Sequence, residues 1–121
     1  MGTDSGRHDN VINGREKGKR FELKTAALWV AKFGGMVERS GYVNKKLDDA
    51  GVDLVGTDPF NIQCKAVETS MNTHKIIERM PHDDGNYNVI FHKRNHMGTV
   101  VSMDLADFME IVGMLRSAKI L

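Results

Sequence analysis

Residues 51–68 read GVDLVGTDPFNIQCKAVE, and the reading of this stretch decides the fold. Gly51 and Gly56 bracket a short apolar run, Asp58 and Pro59 supply turn chemistry, and FNIQCKAV over 60–67 returns as a second run, so two neighbouring strands are predicted. Side chains alternate faces along a strand. Val52, Leu54, Ile62, Cys64 and Ala66 therefore share an apolar face, while Asp53, Gln63 and Lys65 gather on the other. A hairpin pivoting about Pro59 sets Asp53 opposite Lys65 and Val55 opposite Gln63. An acid, an amide and a lysine on one side of a hairpin make a candidate site.

The flanking sequence places this hairpin in an α/β order. Residues 1–14 are polar and glycine-containing and read as a flexible N-terminal arm, leaving 15–121 as a single domain. From Arg15 to Phe33 no proline interrupts a helical spacing of Leu23, Ala26, Ala27, Val30 and Phe33, and Gly34–Gly35 stops the helix. Met36–Ser40 reads as a short strand and GYVNKKLDDAG as a charged loop. After the hairpin, MNTHKIIERM is a helix capped at Asn72 or Thr73 and ended by Pro81. YNVIFHK and GTVVSM follow as strands joined by a tight turn. Asp104 then caps a last helix whose Leu105, Phe108, Met109, Val112 and Leu115 form a stripe expected to be buried. The predicted order is α-β-β-β-α-β-β-α.

Composition removes several function classes. The hydrophobic fraction of 40% and charged fraction of 27% are those of an ordinary globular protein, and no apolar run is long enough for a membrane span. The N-terminal residues lack the apolar core of a secretory signal, so a cytoplasmic location is expected. One cysteine, Cys64, can form neither an internal disulfide nor a cysteine-rich zinc site. The net charge of +1 conceals an uneven distribution. Arg15, Lys17, Lys19, Arg20 and Lys24 cluster around the start of the first helix, and Lys45 and Lys46 sit in the loop that follows the first strand. Clustered cations suit a polyanion, although a solvated face is the plainer reading of such a run.

Glu22 adds a fourth member to the hairpin's polar set. At 100° per residue it projects between Ala26, Trp29 and Phe33, inside the apolar stripe, where a carboxylate needs a partner such as Lys19 or Lys65. KGKRFE, then ERSG, then GVDLVG, then IQCKA is the series that resembles the PD-(D/E)xK nuclease superfamily, and within it the small dimeric Holliday-junction resolvases of archaeal and phage type. The resemblance runs from about Lys17 to Glu68. It implies a restriction-endonuclease-like core, a mixed β-sheet flanked by helices. It also implies that Glu22, Asp53, Gln63 and Lys65 form the catalytic set, with Ser40 accompanying them. Gln63 stands where the family usually has glutamate, which makes this a QxK variant, and the segment from Gly41 to Gly51 is longer and more acidic than in compact members.

The chemistry implied is phosphodiester hydrolysis with Mg²⁺, for which Mn²⁺ can substitute. Mg²⁺ takes oxygen ligands and keeps several waters, so few protein ligands suffice. Asp53, the Gln63 amide oxygen and the Cys64 backbone carbonyl are the expected ligands, and Glu22 completes a second metal position or orients a water. Lys65 orients or deprotonates the attacking water, or offsets charge in the transition state. Arg15, Lys17, Lys19, Arg20, Lys24, Arg39, Lys45 and Lys46 are the expected phosphate contacts. The expected substrate is branched DNA and the expected assembly a homodimer, since a four-way junction presents two symmetric strands. Two alternatives stand beside this: a restriction-like or nicking endonuclease on duplex DNA, and a DNA-binding module of nuclease fold without chemistry.

Overall fold

The computed structural model describes the backbone of residues 2–121 and the side chains of residues 14–121. Ten elements follow one another: α1 (Gly2–Phe33), β1 (Glu38–Arg39), α2 (Ser40–Val43), α3 (Lys45–Asp49), β2 (Leu54–Val55), β3 (Phe60–Ala66), α4 (Thr73–Arg79), β4 (Tyr87–Arg94), β5 (Met97–Met103) and α5 (Leu105–Ser117). The chain is therefore mixed α/β. Its order is the one read from the sequence with two short helices added, where GYVNKKLDDAG was expected to be a loop. Asn44 makes the second of these by accepting a hydrogen bond from the Leu47 N–H at its N-terminus. The flexible arm expected over 1–14 is instead helical from Gly2 onward and continuous with the helix expected from Arg15; the side chains of residues 1–13 lie outside the described residues.

Two sheets form. β1 and β2 pair antiparallel, Glu38 with Val55 and Arg39 with Leu54. β3 and β4 pair parallel, and β4 and β5 antiparallel, so β4 is the central strand of a mixed sheet in the order β3-β4-β5. The Asp53 N–H donates to the Ile62 carbonyl at 2.8 Å, which ties the approach to β2 onto β3. No described helix is long and apolar enough to cross a membrane.

The core lies between α1 and the sheet. Ala26, Leu54, Ile62 and Val89 are its buried centre, with Trp29, Phe60, Cys64 and Phe91 packed around them. Ile62 and Val89 are register partners, so both point to the α1 face, and each such buried side chain contributes about 2 kcal/mol. Gln63 and Ile90, the next pair, point to the other face. There α4 packs against β4, and its Asn72 cap accepts from the Lys75 N–H.

Three expectations from the hydrophobic pattern are corrected. In α1 the buried residues are Phe21, Thr25 and Ala26, while Leu23 and Phe33 are exposed. The buried face is thus rotated from the predicted stripe, because the helix seats Phe21 and the small Thr25 and Ala26 against the sheet. In α5 no residue is buried, and Leu105 is 71% and Phe108 50% exposed. Of the predicted stripe only Val112 and Leu115 are half-buried, and the Tyr87 hydroxyl adds a hydrogen bond to Glu110 Oε1 at 2.8 Å. Finally, the two strands after Gly51 do not pair as a hairpin: β2 pairs with β1 and β3 with β4, and only hydrogen bonds of Asp53 to Ile62 and Cys64 join the approach to β2 with β3, so the connection does not pivot on Pro59. Joining residue 53 to residue 62 centres the turn between Thr57 and Asp58, where Phe60 N–H donates to the Thr57 carbonyl and the Thr57 hydroxyl donates back to the Phe60 carbonyl.

Candidate active site

The site grows from the short connection between α3 and β2. Gly51, at φ +82°, turns the chain where a side chain would press on Gln63, whose Oε1 lies 3.1 Å from the position of a Cβ. Val52 then buries and Asp53 follows at the mouth of β2. Its backbone is fixed on both sides: its N–H donates to Ile62, and its carbonyl accepts from the Ser40 N–H at 2.8 Å. Its carboxylate Oδ2 accepts from the Cys64 N–H at 2.7 Å.

This geometry replaces the expected facing of Asp53 and Lys65 with a lateral one. Asp53 lies at the edge of β3, level with Ile62 and Cys64, and Gln63 and Lys65 project to one side of the same strand. In extended backbone a residue's N–H and C=O point to the same edge, so the Cys64 carbonyl lies on the Asp53 side as well. Burial pushes the Asp53 carboxyl up from its ordinary 3.8 to about 6; the Cys64 N–H opposes this, Glu22 adds to it, and Lys65 draws it back. Those causes show that Glu22 and Lys65 lie close enough for their charges to act on Asp53. No hydrogen bond or ion pair engages the Lys65 ammonium among the described residues.

Glu22 has a partner other than those expected. Arg39 Nε donates to Glu22 Oε1 at 3.0 Å, with both side chains four-fifths buried, and the Arg39 guanidinium also lies over the Tyr42 ring. Arg39, expected on a phosphate, is directed toward holding this carboxylate. Ser40 is fully buried; its hydroxyl donates to the Val52 carbonyl and its N–H to Asp53. Ser40 is thus a positioning residue that pins the Asp53 backbone and reaches no open space.

Cys64 divides its groups between core and site. Its side chain packs in the core beside Thr25, and burial, with Asp53 next in weight, pushes the thiol up to about 12. The sulfur stays protonated and offers no soft ligand. The oxygens of Asp53, Gln63, Glu22 and the Cys64 carbonyl form a hard donor set. Oxygen donors are those that Mg²⁺ takes, and a cation offsets the cost of a partly buried carboxylate. No three His, Cys, Asp or Glu side chains converge on one point among the described residues.

The basic residues fall into three groups. Arg15, Lys19, Arg20 and Lys24 are exposed along α1, and Lys46 is exposed on α3. Lys45 forms an exposed pair with Asp49 at 3.3 Å. Lys17 pairs with Glu68. Trp29 meets Phe33 and Phe60 edge to face and belongs to the core.

Sequence reasoning missed an amide network at the other end of β3. The buried Asn61 donates to Asn88 Oδ1 at 2.9 Å and to Asp84 Oδ2 at 2.8 Å, and Asn88 donates to the Pro81 carbonyl. Its only signal was an asparagine at the second position of both FN and YN strands. It anchors the HDDGN loop, away from Asp53. A cleft of about 1010 Å³ between α4, β5 and α5 is also remote from the site.

No family model matches the chain, and no solved structure matches it. A phospholipase A1 from Vespa basalis is 32% identical over 74 residues, a match that covers 58% of this chain and 22% of the phospholipase. The chain thus spans about a fifth of that relative's length.

Proposed function

We propose that the protein is a Mg²⁺-dependent DNA endonuclease of PD-(D/E)xK type with a restriction-endonuclease-like core, cutting branched DNA as a Holliday-junction resolvase does. The observation that carries this reading is Asp53, fixed at the edge of β3 by Ser40, Ile62 and Cys64 and raised to about 6 beside Glu22 and Lys65. A cation would stabilise such a carboxylate.

Asp53, the Gln63 amide oxygen and the Cys64 carbonyl would hold the metal, which when bound supplies Lewis-acid neutralisation of the scissile phosphate and a more acidic water. Lys65, free of an ion pair among the described residues, directs its ammonium at the phosphate oxygens and offsets the charge that develops there in the transition state. Arg39 holds Glu22 in place through its hydrogen-bonded ion pair. Arg15, Lys19, Arg20, Lys24 and Lys46 hold the backbone without reading bases.

Ester chemistry of the phospholipase kind has no footing in these residues. None of the five serines lies in a G-x-S-x-G turn, and the one nearest the site, Ser40, is buried with its hydroxyl donated to Val52.

A second copy of the chain completes the assembly. β5 is an outer strand of seven residues without a charge, and Met97, Val100, Val101, Leu105, Phe108 and Met109 are at least half exposed on β5 and α5. An uncharged edge pairs with its own copy about a twofold axis, which matches the symmetry of a four-way junction.

Cleavage of a labelled four-way junction and a matched linear duplex in Mg²⁺, wild type beside Lys65→Ala, tests the function. Junction-selective cutting that falls at least about 100-fold in the variant is expected. Equal cutting of the duplex would favour a restriction-like or nicking enzyme. Binding without product in Mg²⁺ or Mn²⁺ would leave a DNA-binding module.

A further inference from the structure

The cations of α1 face others across a cleft. Lys17, Arg20 and Lys24 recur at helical spacing on one side of α1, and they line a cleft of about 660 Å³ with Lys93 and Asn95 from the end of β4 and its turn. Lys93 is the register partner of Ala66, which also lines the cleft, so the parallel pairing of β3 and β4 carries this fourth cation toward α1. Four cations from two elements around one space repel one another unless an anion sits among them.

Within the chain that anion is Glu68. Its carboxylate accepts from the Lys17 ammonium and, through Oε1 at 2.8 Å and Oε2 at 3.1 Å, from the Asn95 backbone N–H. Lys17 and Asn95, with Arg94 nearby, hold the Glu68 carboxyl below the usual range. An ammonium and a turn N–H converging on two oxygens are also the donors that bind a phosphate. The Glu68 side chain is 45% exposed, and an exposed pair of this kind is readily exchanged for a competing anion.

We propose that this cleft is a binding site for the backbone of a DNA strand, in which Glu68 occupies the place of one phosphate and swings out when the strand enters. Lys93 and the Asn95 N–H then join Lys17, Arg20 and Lys24 as phosphate contacts, and Glu68 sets a threshold against weakly bound DNA. This rests on the reading of the protein as a DNA nuclease.

Fluorescence anisotropy of a labelled DNA junction in EDTA, across a salt series, tests the site without requiring catalysis. Glu68→Gln keeps the shape and removes the charge; a three- to tenfold tightening is expected. Lys93→Ala is expected to weaken binding by a similar factor and to lower the slope of log affinity against log salt by about one. The gain from Glu68→Gln should shrink when Lys17 is already alanine, because the carboxylate acts by occupying Lys17. A gain of equal size in both backgrounds, or wild-type affinity in both single variants, would overturn the proposal. If wild type cuts junctions while these variants bind unchanged, the cleft assignment alone fails. If the variants shift binding as expected but wild type cuts nothing in Mg²⁺ or Mn²⁺, the cleft stands and the nuclease reading fails.

Discussion

At the scale of single residues, Asp53 links stability to function. Its folded carboxyl, at about 6, lies above the ordinary 3.8, so the folded state holds the proton more tightly than the unfolded chain. The metal-free protein is therefore most stable below about pH 4 with respect to this group, and loses about 3 kcal/mol at most as pH rises through 6. Urea unfolding in EDTA at pH 4.5 and 7.5 should show this loss in wild type and a flatter profile in Asp53→Asn, which keeps an oxygen to accept from the Cys64 N–H. The variant should be the more stable protein at pH 7.5 and should cleave no DNA; a steeper or unchanged profile would remove Asp53 as the strained group. Gln63 and Lys65 were legible on one face of β3 because strand alternation is local, whereas the place of Asp53 at the strand's edge depends on its hydrogen bonds to Ile62 and Cys64. The Arg39 partner of Glu22 was not, since it depends on the β1–β2 ladder carrying residue 39 beside residue 22.

At the scale of elements, the β1–β2 ladder depends on one glycine. A Cβ on Gly56, at φ +104°, would lie 2.1 Å from the Met36 carbonyl oxygen, so Gly56→Ala both strains the backbone and pushes β1 from β2. A loss of at least about 2 kcal/mol in urea unfolding is expected, with cleavage falling further than the remaining folded fraction accounts for, because Arg39 and Ser40 on that segment position Glu22 and Asp53. Unchanged stability would mean that the close approach at Met36 relaxes without cost. Element types were readable from pattern and caps: Asn72 and Asp104 cap α4 and α5 where the sequence predicts. Faces were less so. In α1, Leu23 and Phe33 obey the helical period as well as Phe21 and Ala26 do, and periodicity alone does not say which stripe meets the sheet.

At the scale of the whole molecule, α5 and β5 leave an apolar surface that a lone chain does not cover. Sedimentation equilibrium should give a dimer, and Val101→Lys, which puts a charge on the uncharged edge strand, should shift it to monomer with the far-ultraviolet spectrum unchanged. A wild-type monomer at tens of micromolar would remove the twofold arrangement. The sequence by itself determined the α/β order, the caps, the two strands after Gly51 and the identity of the polar residues on them, but not which strands pair. These follow from backbone preferences and side-chain alternation, which act over a few residues. Tertiary structure alone decided that Asp53 meets the Cys64 N–H, that Arg39 holds Glu22, that Glu68 bridges Lys17 and the β4–β5 turn, and that Leu105, Phe108 and Met109 of α5 are exposed. Each of these joins residues far apart in the chain, and the register and packing that bring them together are set by the summed burial of the core.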